Sequence, residues 1–334
     1  MNRLHSLWTG LALQWLMVSA AFAAPCPLTP VMEAPLRNDL GFLSAPVAIA
    51  GRTVNFIVDT GSEGSLISPW FARFMKLPED PNALTHVSGT GGSGGVVPNV
   101  IVPSLQVGNT GFGPVSMPLG FLPSRPNITP PVEGLLGGDV LAQDVLEIDA
   151  PHGRVAMWNA PGRRTDLCSV EPPSVPGVEW QNLEAEERGH RIVLHVQLDG
   201  HELTALLDSG ARSRILSRRA AEAMGLTEEQ LATDPGGTTA GVDGKESVYR
   251  WHKFHSLTIG EETERNPVLT VSPVSEQSVD MLLGSDWFAA HHVWIFYRQG
   301  RIFVHRTSAG KRAENAKSIS APTVPGKKET KKFP

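Results

Sequence analysis

The chain has 334 residues, 41% apolar and 19% charged, which suits two domains of ordinary size with buried cores and excludes a wholly disordered chain. Two cysteines exclude a dense disulfide scaffold and a Cys-based zinc module, and a formal net charge of −5 argues against a nucleic-acid binder. Gly 33 and Pro 27 mark a turn-rich chain, as in proteins built from many short strands.

Residues 1–23 read as a secretory signal peptide. Arg3 supplies a positive start, Leu7 to Val18 is mostly apolar, and Ala21-Phe22-Ala23 is a small-x-small cleavage site. The alternative is an uncleaved anchor helix. No later stretch is long and apolar enough to span a bilayer, so no stable membrane insertion is expected after signal removal. The mature chain is expected in the periplasm or secreted, where disulfides persist, and Cys26 and Cys168 are candidates to pair.

Residues 24–160 read as a first β-rich lobe. Val47 to Ala50, a Gly51-Arg52 turn and Thr53 to Val58 form a hairpin pattern that runs into Asp59. A short helical stretch follows, Pro69 to Met75, and then the Gly-rich segment Ser88 to Gly95. Leu135-Leu136-Gly137 leads into a helix that Asp139 could cap, and Arg154 to Trp158 closes the lobe. Residues 161–189, with Pro172-Pro173 and Pro176, read as a linker.

Residues 190–307 repeat the pattern. Ile192 to Leu198, the turn Asp199-Gly200 and Glu202 to Leu207 run into Asp208. Arg218 to Met224 reads as helix, Gly236 to Gly244 is Gly-rich, and Leu282-Leu283-Gly284 precedes Asp286. Residues 308–334 are a flexible basic tail with almost nothing apolar.

The two lobes are copies. Asp59-Thr60-Gly61-Ser62 recurs as Asp208-Ser209-Gly210-Ala211 at an offset of 149, without a gap as far as Leu77 and Leu226. Leu135 to Asp139 recurs as Leu282 to Asp286 at an offset of 147. One domain has been duplicated and fused, and the expected fold is all-β and bilobal with a pseudo-twofold axis.

Each aspartate ends an apolar strand on a turn whose glycine lets backbone approach closely. Pseudo-twofold packing would bring Asp59 and Asp208 together on the axis. Two carboxylates about 3 Å apart cannot both ionise freely and share a proton. The ionised member can activate a water while the protonated one polarises a carbonyl, which is general acid–base hydrolysis of an amide.

With these residues the sequence resembles the aspartic peptidases, especially bacterial proteins with two retropepsin-like domains in one chain, over about 43–158 and 190–305. The resemblance implies an aspartic endopeptidase acting on an extended polypeptide, complete in one chain, with no metal and no organic cofactor. It implies that Asp59 and Asp208 are catalytic. Thr60, Gly61, Ser62, Ser209 and Gly210 would support them. Leu136, Gly137, Leu283 and Gly284 would belong to the ψ-shaped loop of each lobe. The flaps would carry Gly89, Gly91 and Gly92 in one lobe and Gly241 and Gly244 in the other. The rival reading is a non-catalytic peptide-binding protein that keeps the fold.

The lobes are not equivalent. Ser62 stands where the second copy has Ala211. In the family a hydroxyl there hydrogen-bonds the adjacent carboxylate, so Ser62 is expected to donate to Asp59 and leave the shared proton on Asp208. Arg212 and Arg214 follow the second turn and either read substrate or make surface ion pairs, the second being the favoured reading. His291-His292 has no counterpart in the first copy and is not read as a metal site.

Overall fold

The computed structural model describes residues 26–39, 41–89, 92–122, 129–160, 170–240, 246–276 and 278–308. They form two β-rich lobes of the same topology, with only short helices.

Each lobe is organised around one hairpin. Phe42–Ile49 pairs antiparallel with Arg52–Val58, and Arg191–Leu198 pairs with His201–Leu207. Both turns have two residues in the left-handed region: Ala50 and Gly51 at φ 47° and 80°, Asp199 and Gly200 at φ 49° and 81°. Positive φ at both positions matches the right-handed twist of the flanking strands. The first turn is therefore Ala50-Gly51, one residue earlier than the Gly51-Arg52 read from sequence, with an alanine held where the second lobe has an aspartate.

The second strand of each hairpin carries its aspartate into the middle of the molecule. Val132–Leu136 runs parallel to Arg52–Val58 and antiparallel to Leu66–Ile67. Met281–Leu283 does the same with His201–Leu207 and Ile215–Ser217. The helix Pro69–Phe74 begins at Ser68, whose hydroxyl accepts from Phe71 N–H, with Pro69 in the first turn. Its copy Arg218–Ala223 begins identically at Ser217. Gly137 and Gly284, not Asp139 and Asp286, are the N-caps of the helices Gly138–Leu141 and Ser285–Phe288.

A sheet shared by both lobes lies at the junction. Val145–Asp149 pairs antiparallel with His291–Phe296, and Arg154–Asn159 and Arg301–Arg306 flank them. Thr29–Pro35 adds to one edge and Gln181–Arg188 to the other. Part of the segment read as a linker is built into this sheet, because 181–188 is a strand that buries Leu183 against the core. The core runs through both lobes and includes Phe56, Ile49 and Leu136 with Phe288, Leu207 and Leu283. Fully burying a side chain such as Phe56 or Phe288 contributes about 1.5–3 kcal/mol.

Each lobe also projects a hairpin. Glu79–Gly89 pairs with Gly92–Val102, and Gly236–Ala240 pairs with Glu246–Lys253. Cys26 is buried and disulfide-bonded, packed near Trp294 and Phe303. Cys168, the other cysteine of the sequence, lies outside the described residues.

Candidate active site

Asp59 and Asp208 meet between the lobes. Their backbones are fixed by equivalent bonds: Asp59 N–H donates to Leu136 O at 2.9 Å and Asp208 N–H to Leu283 O at 3.0 Å. The residue after each aspartate reaches across the axis. Thr60 Oγ1 donates to Leu207 O at 2.7 Å and Ser209 Oγ to Val58 O at 2.6 Å. In return Ser209 Oγ accepts from Thr60 N–H at 3.1 Å, and Thr60 Oγ1 accepts from Ser209 N–H at 3.0 Å. Thr60 and Ser209 are buried, so these four bonds are shielded from water and exchange both hydroxyls between the lobes.

The glycines answer to the opposite carboxylate. A Cβ on Gly61 would lie 2.5 Å from Asp208 Oδ1, and one on Gly210 would lie 2.5 Å from Asp59 Oδ1. Each aspartate is thus packed flat against the other lobe's turn, where only glycine leaves room. Gly137 and Gly284 have a related role. A Cβ there would meet Ser65 N at 2.9 Å and Ser213 N at 2.8 Å, so the ψ-shaped loops close only on glycine.

The two carboxyls hydrogen-bond each other and do not titrate independently. Burial pushes both above the ordinary aspartate range, and Asp59 well above it. For Asp59 the charge of Asp208 adds to burial, against the Gly61 N–H that donates to Oδ1 at 3.0 Å. Asp208 is better supplied with positive partners. Ala211 N–H and Gly210 N–H donate to its Oδ1 at 2.9 and 3.1 Å, and the Arg191 guanidinium favours its charge. The pair holds its shared proton jointly, and its titration belongs to the two carboxyls together.

The Ser62 hydroxyl does not donate to Asp59. It donates to Gly64 O at 2.8 Å, and a hydroxyl has one proton to give. Ser62→Ala should therefore leave the acidic limit of a kcat/KM–pH profile in place, with a stability loss of about 1 kcal/mol for the lost local bond. A rise of that limit by half a unit or more would show the hydroxyl serving Asp59 after all.

Other predicted residues fall as follows. Gly89 and Gly92 end the two strands of the first projecting hairpin, while Gly91, Gly241 and Gly244 lie outside the described residues. Gly89 O accepts from Ser275 Oγ of the second lobe at 2.7 Å, so this hairpin reaches over the lobe junction. Arg214 is more enclosed than a surface ion-pair residue: its side chain is 13% exposed and bonds both Glu264 and Asp286. His291 and His292 are taken up separately by Glu262 and Glu147.

Sequence reasoning missed two small apolar clusters next to the aspartates. Ile57 and Leu206 stand two residues before the aspartates, and side chains two apart share a strand face. Ile57 clusters with Phe42, Leu66 and Leu135, and Leu206 with Val193, Val279 and Leu282. A period-2 reading backward from each aspartate would have found them.

No curated protein sequence matches the chain. A crystal structure of an aspartic proteinase from Irpex lacteus aligns with a TM-score of 0.47 at 11% identity, covering 83% of this chain and 98% of that one. The aspartyl protease family pattern matches twice, over residues 45–140 and 194–287, one match in each lobe and each containing one aspartate turn. These matches span more than half of the sequence, and the chain belongs to the aspartyl protease family.

Proposed function

We propose that the chain is an exported aspartic endopeptidase whose Asp59 and Asp208 activate a water molecule against a peptide bond. The observation that carries the reading is the coupled carboxyl pair, one member from each lobe, each seated against the other lobe's turn. The ionised member of the pair takes a proton from water as the water oxygen attacks the carbonyl carbon. The protonated member gives its proton to the carbonyl oxygen. The tetrahedral gem-diol then collapses: the carboxyl that took the water proton gives it to the leaving nitrogen, the other carboxylate takes back a hydroxyl proton, and the C–N bond breaks. No metal is needed by this scheme, because the protonated carboxyl supplies the electrophile.

Substrate is a polypeptide laid across the axis in extended form, under the projecting hairpins. Export is supported by the signal-like residues 1–23 and by a disulfide at Cys26, a bond that persists in oxidising compartments. Among the described residues no helix is long and apolar enough to cross a membrane.

The test is a peptide-library digest across pH, with and without a statine-type transition-state mimic. Cleavage that rises and falls with pH and is blocked by the mimic is expected. Binding of the mimic with no cleavage at any pH would overturn the catalytic reading in favour of a peptide-binding protein.

A further inference from the structure

The duplication sets two pairs of residues in equivalent places. Glu63 and Arg212 each stand four residues after their lobe's aspartate, and Phe42 and Arg191 each stand seventeen before it. In the fold each pair joins the lobes. The Arg191 guanidinium contacts Glu63 Oε1 at 3.0 Å, and the Arg212 guanidinium lies over the Phe42 ring at 5.4 Å. The two contacts are related by the pseudo-twofold axis and so fall on opposite sides of the carboxyl pair. Their charge is inverted, with a carboxylate after one aspartate and a guanidinium after the other.

Neighbours sharpen the difference. Arg191 also makes a forked pair with Glu276, at 2.7 and 3.0 Å, so its side carries two carboxylates against one guanidinium. Glu63 stays 63% exposed despite its ion pair, leaving carboxylate surface for another cation. Glu276 follows Ser275, the residue that bonds the projecting hairpin at Gly89, which places this acidic side beneath that hairpin. On the other side Arg212 is exposed and packs beside Gly41, with its Nε 3.3 Å from where a Gly41 Cβ would stand.

We propose that the cleft reads charge of opposite sign on the two sides of the scissile bond. It favours a cationic side chain toward Glu63 and Glu276 and an anionic one toward Arg212. The substrate class is then polypeptides cut between a basic and an acidic flank, in one polarity and not the other. This inference rests on the peptidase reading. Charge pairs formed under a substrate are less screened than surface ones, and complementary patches act on specificity more than on raw affinity.

The experiment uses the full chain and three peptide sets around one cleaved core. One set is neutral, one has Lys upstream and Glu downstream two to four residues from the bond, and one has them exchanged. One charged polarity should exceed the other in kcat/KM by about five- to tenfold at low salt, with the ratio shrinking in high salt. Glu63→Gln should lower the rate on the preferred Lys position relative to the neutral peptide in the same preparation. Arg212→Gln should do so for the Glu position, and Arg212→Lys should restore it. Equal rates for both polarities, with the neutral peptide cleaved, would overturn the charge reading and leave the peptidase reading standing. No cleavage of any set would overturn the peptidase reading and this inference with it.

Discussion

Asp59→Asn and Asp208→Asn are each expected to lower kcat/KM by on the order of 10⁴-fold, to a similar floor. An amide in either place can neither take a proton from water nor give one to the carbonyl, and the two carboxyls act as one unit. The same substitutions should not unfold the protein. Burial raises both carboxyls above their ordinary range, so the folded state holds protons that the unfolded state has already released. A group raised in this way makes stability fall as pH rises from the unfolded value, about 3.9, toward the folded one. At neutral pH the pair is therefore a cost to folding, and either substitution should keep or increase Tm there. The gain should vanish on acidification. Peptide kinetics and thermal melts at pH 3.5 and pH 7 check both halves. Near-normal turnover in either single variant would remove that aspartate from the proposed mechanism.

Gly61→Ala and Gly210→Ala should be nearly as damaging, for a different reason. The added methyl would press on the carboxylate of the other lobe, and neither the buried side chain nor the bonded turn can give way cheaply. We expect a stability loss of about 1–3 kcal/mol together with a fall in kcat/KM of at least about 10²-fold from misplaced carboxyls. The pattern is diagnostic, since the substitution in one lobe should perturb the carboxyl of the other. A pH profile of residual activity reads that crossing, and full activity in Gly61→Ala would mean that the carboxyls are not seated on the opposite turn. Ala211 and Ser62, one position further on, escape the constraint, which is why those two positions can differ between the lobes.

The sequence made the aspartate turns, the ψ-loop glycines and the paired projecting hairpins legible because duplication repeats whatever both lobes need. Thr60 and Ser209 were legible for the same reason: both positions carry a hydroxyl, and both hydroxyls cross the axis. What duplication does not repeat was harder to read. The hydroxyl of Ser62 had two reachable acceptors, and only the fold shows that it chose Gly64 O. The strand at 181–188 hid in a charged stretch because one of its faces meets solvent while Leu183 alone is driven inward. The first hairpin turn slipped by one residue because Ala50 gives no hint of the left-handed backbone that its counterpart Asp199 readily adopts. Arg191 was invisible as a partner of Asp208, since it stands seventeen residues earlier and comes near only when its strand pairs with His201–Leu207.

The exchange of hydroxyls between Thr60 and Ser209 has a consequence for how the molecule behaves on dilution. Every bond of that exchange joins residues about 150 positions apart in one chain, so closing it is an intramolecular event with a fixed effective concentration. Two separate half-chains would have to find each other, and their pairing would weaken as they were diluted. The fused chain holds its carboxyl pair together at any concentration, including that of a protein released into a large volume. Fusion also freed the halves from identity: once each lobe always meets the same neighbour, Phe42 and Arg191 could part ways without spoiling a symmetric partner.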